Sequence, residues 1–585
     1  MKVRKHKFAV WIEFSYFRFL KNGILRGFIQ CLFLIVTFFF ALASLVIRYR
    51  WDPDANHDGG MFTPALAFAN GQLPNKDFFS LYGPITPALQ GTWLRLFGIN
   101  IFQLRMFTVF LVTVTAIIAF HSIKRNFGVY FSALVCTVWV MTGPVGLPWS
   151  SNITSLLVIL SFMLVKEAQT LEFLGRKTQR NLLLGFSSFI LVSCTLIRIH
   201  LILSFLIALP ILVYYKKRKD IGQIAISWVA GGLLAFTLWF LILIRLRILN
   251  PYIQQSIIWT ANFFSVPRLD RAYFLNVLWY PFVTTVTVLL IFSVKVLYRK
   301  GLPNRLTHLL ASLIFSVPFM VFLYLSRFNT DSFRSLFDIH ALVLFGSKWM
   351  LFAFDYSVVT IGILVTGYLV IQKLRLARGN QFFYEVLIVG IAISCLSQLY
   401  PLYDRFHLWF ITPIFIVAFA PILHSHIKQN PRLKKSLTLC LSMLFLILSL
   451  QFVLDARIPK YEYKNVSMQK LESDSQNAKE MDASMLMLEK YAVAGKVKFI
   501  CPVGIYSSAG SKYLSYNGDY INWGDFFTNE KKSFSQVFIC ETSLDKAVKY
   551  LKDGFYIKSK SAIHKMDYDT RIQYWNILLE KIPSK

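Results

Sequence analysis

The sequence predicts an all-α polytopic membrane bundle, and two observations carry that prediction. Apolar residues make up 56% of the 585-residue chain. They are concentrated in runs of roughly 17–23 residues, the length that a helix needs to cross the hydrocarbon core of a bilayer. Basic residues collect in alternate short loops, which is the usual orientation signal of membrane helices. A soluble chain of this length would rarely be so apolar, so we expect a multi-pass membrane protein.

Roughly thirteen apolar segments are candidate transmembrane helices. They are residues 29–48, 104–120, 129–146, 152–166, 182–197, 199–215, 223–245, 274–295, 306–326, 351–372, 382–400, 408–425 and 435–454. The first run follows a basic segment and has no small-residue cleavage site, so we predict a retained span rather than a signal peptide. Only Arg198 and His200 separate the fifth and sixth segments, and one long helix with a re-entrant piece is the alternative there.

The charge pattern tests this count. With the N-terminus in the cytoplasm, every short inner loop is basic, as in Lys216–Lys219. A missing or extra span would break the alternation from that point on, and the alternation does not break. We therefore predict an odd number of spans with the N-terminus inside and the C-terminus outside. The formal charge of +32 is explained by this placement, so we expect no nucleic-acid partner.

The composition becomes polar near residue 456, which predicts two domains. The first is a transmembrane domain of residues 1–455, whose long outer loop covers residues 49–103. The second is a small α/β domain of residues 456–585 on the outer, extracytoplasmic side. Within it, residues 476–494, 543–552 and 568–582 are predicted helices, and residues 497–503 and 536–541 are predicted strands.

Two cysteines lie in these predicted strands. Cys501 and Cys540 follow similar apolar stretches, and they would be able to pair in an oxidising compartment. Two buried free thiols on neighbouring strands are the equal alternative. The spacing of cysteines and histidines does not indicate a zinc site.

The first outer loop concentrates carboxylates beside the membrane. The four are Asp52, Asp54, Asp58 and Asp77. A carboxylate at this position can act as a general base or bind a divalent cation. Whether the site uses a divalent metal is therefore left open. The alternative is a solvated loop whose acids favour the outer side. Gly59 and Gly60 favour an active site, because glycine allows a tight turn beside Asp58.

The spacing of this loop resembles a known family over about residues 51–110. The matching positions are Asp58-Gly59-Gly60-Met61-Phe62, Gly71, Pro74, Asp77-Phe78, Gly83-Pro84, and Phe97-Gly98 followed by Leu104-Arg105. The pattern resembles the GT-C class of membrane glycosyltransferases. It is most similar to bacterial relatives of dolichyl-phosphate-mannose protein mannosyltransferases and of the aminoarabinose transferase that acts on lipid A. One departure is Gly59, where the family has a second acid.

The resemblance implies a function and a mechanism. The donor would be a sugar on a polyprenyl phosphate, and the acceptor a glycan, a lipid or a protein on the outer side of the plasma membrane. Asp58, and after it Asp77, would be the catalytic base for an inverting transfer. Asp52, Asp54 or Asp77 would supply the acid that is missing at Gly59. A divalent metal is the only cofactor left open.

A lipid-phosphate leaving group requires positive charge, for which arginine is best suited. The outer candidates are Arg198, Arg327, Arg334, Arg405, His407 and Lys76. Arg405 and His407, with Pro413 after them, resemble an R-x-H-L…P element of the family. The alternative for each cation is an interfacial anchor or a pair with a nearby acid, such as Asp404.

Two other functions remain alternatives. One is a transporter or flippase of a lipid-linked saccharide, and the other is a non-catalytic subunit of an envelope assembly. The predicted spans have no charged residue at their centres and no inverted repeat, which argues against an ion-coupled transporter.

Overall fold

The computed structural model describes fourteen parts of the chain: residues 27–51, 53, 57–143, 147–215, 219–258, 383–399, 405–428, 431–456, 460–473, 478–491, 497–500, 536–542, 555–566 and 573–581. The predicted spans 274–295, 306–326 and 351–372 lie outside these residues. So do the candidate site residues Asp52, Asp54, Arg327 and Arg334, and also Cys501.

Helices dominate the described residues. They are α1 (Gly27–Arg48), α2 (His57–Ala69), α3 (Ile85–Phe97), α4 (Ile101–Phe127), α5 (Val129–Thr142), α6 (Ser150–Phe173), α7 (Lys177–Ser193), α8 (Ile202–Leu206), α9 (Ala208–Tyr214), α10 (Ile221–Arg245), α11 (Leu249–Tyr252), α12 (Phe383–Ser394), α13 (Arg405–Lys428), α14 (Pro431–Asp455) and α15 (Ala478–Tyr491).

Four helices in the described ranges are long and apolar enough to cross a membrane. They are α1, α4, α10 and the Leu437–Leu454 part of α14, and shorter apolar helices accompany them. Their outward faces carry large apolar side chains such as Phe39 and Leu234, which are 66% and 63% exposed. Such surfaces suit lipid rather than water. The predicted multi-pass membrane protein is confirmed, and the total of thirteen spans stays a prediction.

Helices α7 and α10 lie side by side and run in the same direction. Arg180 near the start of α7 forms an ion pair with Asp220 just before α10. Near the other end, Trp239 Nε1 donates to Ser193 Oγ at 2.9 Å. The chain between two parallel neighbours has to return across the bundle, so α8 and α9 form that return.

The turn between α7 and α8 lies where the sequence predicts a break. A 3₁₀ turn at Cys194–Leu196 ends the first helix, and a second one at Ile199–Leu201 begins the return. Arg198 between them is extended, with φ −144° and ψ 108°. The division at Arg198 is therefore real, and it fixes Arg198 at one end of the bundle.

Small residues allow α7 and α10 to approach closely. A Cβ atom at Gly231 would lie 2.0 Å from the backbone oxygen of Gly185. The Gly185 backbone could make room for such an atom only if the two helices moved apart. Close helix contact of this kind is a common way to associate membrane helices, because packing replaces the hydrophobic effect inside a bilayer.

We expect Gly231→Ala to lower the free energy of unfolding by about 1–3 kcal/mol, since the added methyl group overpacks the α7–α10 contact. Gly222→Ala in the same helix is the matched control, because no atom lies within 4 Å of its Cβ position. That change should be neutral or stabilising by about 0.5–1 kcal/mol. Thermal unfolding of the detergent-solubilised chain measures both. Equal melting temperatures for the two variants would contradict the packing argument.

A four-stranded sheet follows the last membrane helix. Its strands are β3 (Val497–Ile500), β4 (Gln536–Thr542), β5 (Phe555–Met566) and β6 (Gln573–Lys581), in the order β3-β4-β6-β5. The β3–β4 pair is parallel and the other two pairs are antiparallel. The short strands β1 (Tyr461–Glu462) and β2 (Glu472–Ser473) form a separate antiparallel pair.

The predicted helix at 568–582 is wrong, because the described part of that segment is the strand β6. The predicted helix at 543–552 lies outside the described residues. Strand β6 lies between β4 and β5 and pairs with both. Pairing on two sides outweighs the local helical spacing of the segment, since a neighbour on each side satisfies its backbone groups. Over their described residues, the predicted strands at 497–503 and 536–541 are found as β3 and β4, and the predicted helix at 476–494 is found as α15.

The register of β3 and β4 bears on the two cysteines. Ile500 pairs with Ile539, and these residues immediately precede Cys501 and Cys540. Because Cys501 lies outside the described residues, the disulfide stays a prediction.

Candidate functional site

Asp58 and Arg105 form an ion pair that is fully buried, with side chains 0% exposed. Asp58 lies in the first turn of α2, and Arg105 lies near the start of α4. The guanidinium donates two hydrogen bonds to the carboxylate, Nε to Oδ1 at 3.0 Å and Nη2 to Oδ2 at 2.5 Å. This parallel two-bond geometry is the strongest form of an arginine–carboxylate contact.

Arg105 also holds the end of α1. Its Nη1 donates to the backbone oxygens of Tyr49 at 3.0 Å and Trp51 at 2.6 Å. One guanidinium therefore joins three places: the end of α1, the start of α2 and the start of α4. We call this end of the bundle the Asp58 end. The loop motif contained Arg105, but the sequence did not indicate that it binds Asp58.

Gly59 and Gly60 lie inside α2, so their predicted role in a tight turn is wrong. They belong to the helical turn that contains Asp58. The catalytic role of Asp58 stays a prediction.

Asp77 lies in the connection between α2 and α3. Its Oδ2 accepts from the backbone N–H of Leu73 at 2.7 Å, and the residue is half-buried. The neighbouring Lys76 is exposed. Gln255, which follows α11, holds this connection in place: its Oε1 accepts a hydrogen bond from Asn75 Nδ2 at 3.0 Å.

Arg198 lies in a buried aromatic setting at the same end. Its guanidinium carbon is 5.1 Å from the ring centre of Tyr82 and 5.7 Å from that of Trp149. Its Nε donates to Ser150 Oγ at 3.1 Å. Its Nη2 is buried and has no hydrogen-bond partner in the described part of the chain. Only 6% of the residue is exposed.

Two histidines accompany Arg198. His200 follows it, with a buried Nε2 that lacks a hydrogen-bond partner among the described residues. His407, in the first turn of α13, is 8% exposed, and its ring centre lies 5.7 Å from that of Trp149. His200 lies within electrostatic range of both Arg198 and His407. We call Arg198, His200, His407, Tyr82 and Trp149 the Arg198 cluster.

Further polar groups lie beside this cluster. The turn Ile199–Leu201 packs against the turn Cys395–Leu399, which carries Gln398. Gln398 Oε1 accepts from Thr154, whereas its Nε2 is buried without a partner within the described ranges. Burial raises the pKa of Tyr82 to about 12, so its hydroxyl stays protonated and able to donate near neutral pH.

A tryptophan pair fixes the start of α13 against α5. Trp139 Nε1 donates to the backbone oxygen of Trp409 at 3.1 Å, and Trp409 Nε1 donates back to that of Trp139 at 2.7 Å. The two rings stack with centres 5.1 Å apart. This reciprocal contact lies two residues after His407 and therefore sets the position of that histidine.

The structure thus gathers some predicted cations and separates others. Arg198 and His407 meet in one cluster, whereas Lys76 lies on the exposed loop surface. Arg405 begins α13. Tyr82, Trp149 and Gln398 were not predicted, because single aromatic and amide residues in apolar surroundings give no pattern in a sequence. The described residues contain no group of three or more metal-binding side chains.

Searches for related proteins gave structural neighbours only. No family model and no curated protein sequence matches the chain. ArnT from Cupriavidus metallidurans, solved with undecaprenyl phosphate, is 12% identical, with 95% of this chain and 98% of ArnT covered and a TM-score of 0.46. The oligosaccharyltransferase AglB from Archaeoglobus fulgidus, solved with an inhibitory peptide and a dolichol-phosphate, is 12% identical, with 88% and 70% covered and a TM-score of 0.43.

Proposed function

We propose that the chain is a membrane glycosyltransferase that moves a sugar from a polyprenyl-phosphate donor to an acceptor at the Asp58 end. One observation carries the proposal: the buried Nη2 of Arg198 has no hydrogen-bond partner among the residues that the structure describes. The loop resemblance supports the same chemistry independently. On the predicted orientation, the Asp58 end faces the outer side of the plasma membrane.

A buried charge needs a counter-charge, because removal from water costs several kcal/mol per ion. No carboxylate forms an ion pair with Arg198 within the described residues, whereas Arg105 and Arg180 both have one. The missing counter-ion is therefore expected to come from a ligand. Phosphate oxygens fit a guanidinium well, and histidine adds further donors.

The place of the cluster favours a lipid-linked phosphate over a soluble one. Arg198 lies between the apolar helices α7 and α8, and His407 lies in the first turn of the apolar helix α13. A phosphate bound here lies next to membrane-spanning surface, so its polyprenyl chain can stay in the bilayer. Tyr82 and Trp149 are amphipathic aromatic residues, a type that is enriched at the interface between membrane and water.

The proposed reaction is an inverting substitution. An acceptor hydroxyl or amine forms a bond to the anomeric carbon while the bond from that carbon to the phosphate oxygen breaks. The bonding electrons leave with the polyprenyl phosphate, whose growing charge Arg198 and His407 stabilise. The acceptor proton passes to a carboxylate, which we assign to Asp58 first and Asp77 second. The acceptor is a glycan, a lipid or a protein.

The test is turnover by the purified full-length chain. It is mixed with a polyprenyl-phosphate sugar and with glycan, lipid and peptide acceptors in turn, and release of polyprenyl phosphate is measured. We expect release that depends on one acceptor class. Movement of intact donor across vesicle membranes without its consumption would instead support the flippase alternative. The absence of both transfer and movement would favour the non-catalytic subunit.

A further inference from the structure

The segment that follows α14 contacts the residues directly after α1. The backbone N–H of Glu472 donates to the Arg50 oxygen at 2.7 Å, and its carboxylate lies 2.6 Å from Arg50 Nη2. Arg50 Nε also donates to the Lys470 oxygen at 3.1 Å. Trp51 and Glu472 form an isolated parallel bridge. We call Arg50, Trp51, Lys470 and Glu472 the clasp.

Arg105 also binds this stretch of backbone. That guanidinium takes the oxygens of Tyr49 and Trp51, and its remaining nitrogens take the carboxylate of Asp58. Residues 49–51 therefore lie between Glu472 and Arg105. A continuous series of polar contacts runs from Glu472 through this backbone to Asp58.

Apolar packing follows the same path. Met61 and Phe62 of α2 share a buried cluster with Met468 and Leu471 from the clasp segment and with Leu488 of α15. The C-terminal residues thus cover the helix that carries Asp58. A shift of the segment that carries Lys470 and Glu472 would therefore disturb both the polar contacts through Arg105 and the apolar packing that orient α2.

We propose that Glu472 is a positioning residue for Asp58, which it orients through the backbone of residues 49–51 and through Arg105. The inference rests on the proposed function, because it depends on a catalytic role for Asp58. A fork of two parallel hydrogen bonds tolerates little displacement, and small misplacements of a catalytic group reduce rate strongly. Glu472 is therefore expected to affect rate more than stability, since ion pairs as exposed as this one contribute little to folding.

The test compares Glu472→Gln with a matched control in the full-length chain. Glu580 pairs with Lys558 at 2.8 Å, and the side chains are 23% and 33% exposed, against 23% and 34% for Glu472 and Arg50. We expect Glu472→Gln to lower kcat roughly tenfold, with KM for the donor and Tm unchanged, and Glu580→Gln to leave all three unchanged. The exchanged pair Arg50→Glu with Glu472→Arg should restore much of kcat.

A kcat equal to that of wild type, or a loss explained by a fall in Tm, would overturn the proposal. Hydrogen–deuterium exchange separates this result from failure of the proposed function. Peptides covering α2 should exchange faster in Glu472→Gln and not in Glu580→Gln, whether or not the chain transfers a sugar. Unchanged exchange in α2 would refute the positioning role even if wild type is an active glycosyltransferase. Faster exchange with no turnover by wild type would refute the proposed function instead, and with it the catalytic meaning of the clasp.

Discussion

Replacement of Arg198 by alanine is expected to lower the rate of sugar transfer by roughly 10²–10³-fold, the usual effect of removing one strong stabiliser of developing charge. The buried guanidinium has an unpartnered Nη2 and no carboxylate in contact among the described residues. Its charge is therefore available to the leaving phosphate. Arg198→Lys should retain part of the rate, because lysine keeps the charge and loses the two-bond geometry.

The stability of the same variant provides the sharper test. Removing a buried charge that lacks a counter-ion should not lower the Tm of the ligand-free protein, and it should raise Tm if the desolvation cost exceeds the two aromatic contacts. Arg95→Ala is the control, because Arg95 is an exposed arginine of α3 at the same end of the bundle. A large fall in Tm for Arg198→Ala would mean that this arginine supports the fold rather than a ligand.

Replacement of Asp58 by alanine is expected to cost about 3–5 kcal/mol of stability, because it leaves the buried charge of Arg105 without its partner. Any loss of activity in that variant would then confound folding with catalysis. The informative protein is the double variant Asp58→Leu with Arg105→Met, in which both charges are absent. Neutral replacement of a buried ion pair is often close to neutral in stability, so Tm should largely recover.

Turnover by the double variant then decides the role of Asp58. If Asp58 is the base, activity stays at background although the fold has recovered. If the double variant transfers sugar at a rate near that of wild type, the ion pair is structural and the base has to be sought elsewhere, with Asp77 first. Asp77→Asn in the wild-type background completes the comparison, since Asp77 is half-buried and its Oδ2 accepts a local backbone bond from Leu73.

Several features of the fold could be predicted because their cause is local. Apolar runs long enough to cross a bilayer need no tertiary information, and α1, α4, α10 and α14 follow them. The break at Arg198 was predicted for a similar reason, since a polar residue pair interrupts an otherwise apolar stretch. The helix predicted at 568–582 failed because its state depends on strands that are distant in the sequence. Strand β6 exists through pairing with β4 and β5.

The site divides in the same way. Arg198 could be named from the sequence because an outer cation stands out in an apolar chain, whereas Asp58 and His407 were named through the resemblance to a known family. The bond between Asp58 and Arg105 joins residues 47 positions apart, and no period or motif states that two side chains will meet. The contact of Arg198 with Tyr82 and Trp149 likewise joins three separate parts of the chain.

The sequence by itself therefore determined the class of protein, the approximate positions of the membrane helices and the residue types that carry the chemistry. These properties follow from the transfer of apolar surface out of water and from the cost of placing charge in a bilayer. Only the tertiary structure decided which charges are neutralised. It paired Asp58 with Arg105 and, within the described part of the chain, left a guanidinium nitrogen of Arg198 without a partner. The balance of a buried charge depends on which groups the fold brings within a few ångströms of it.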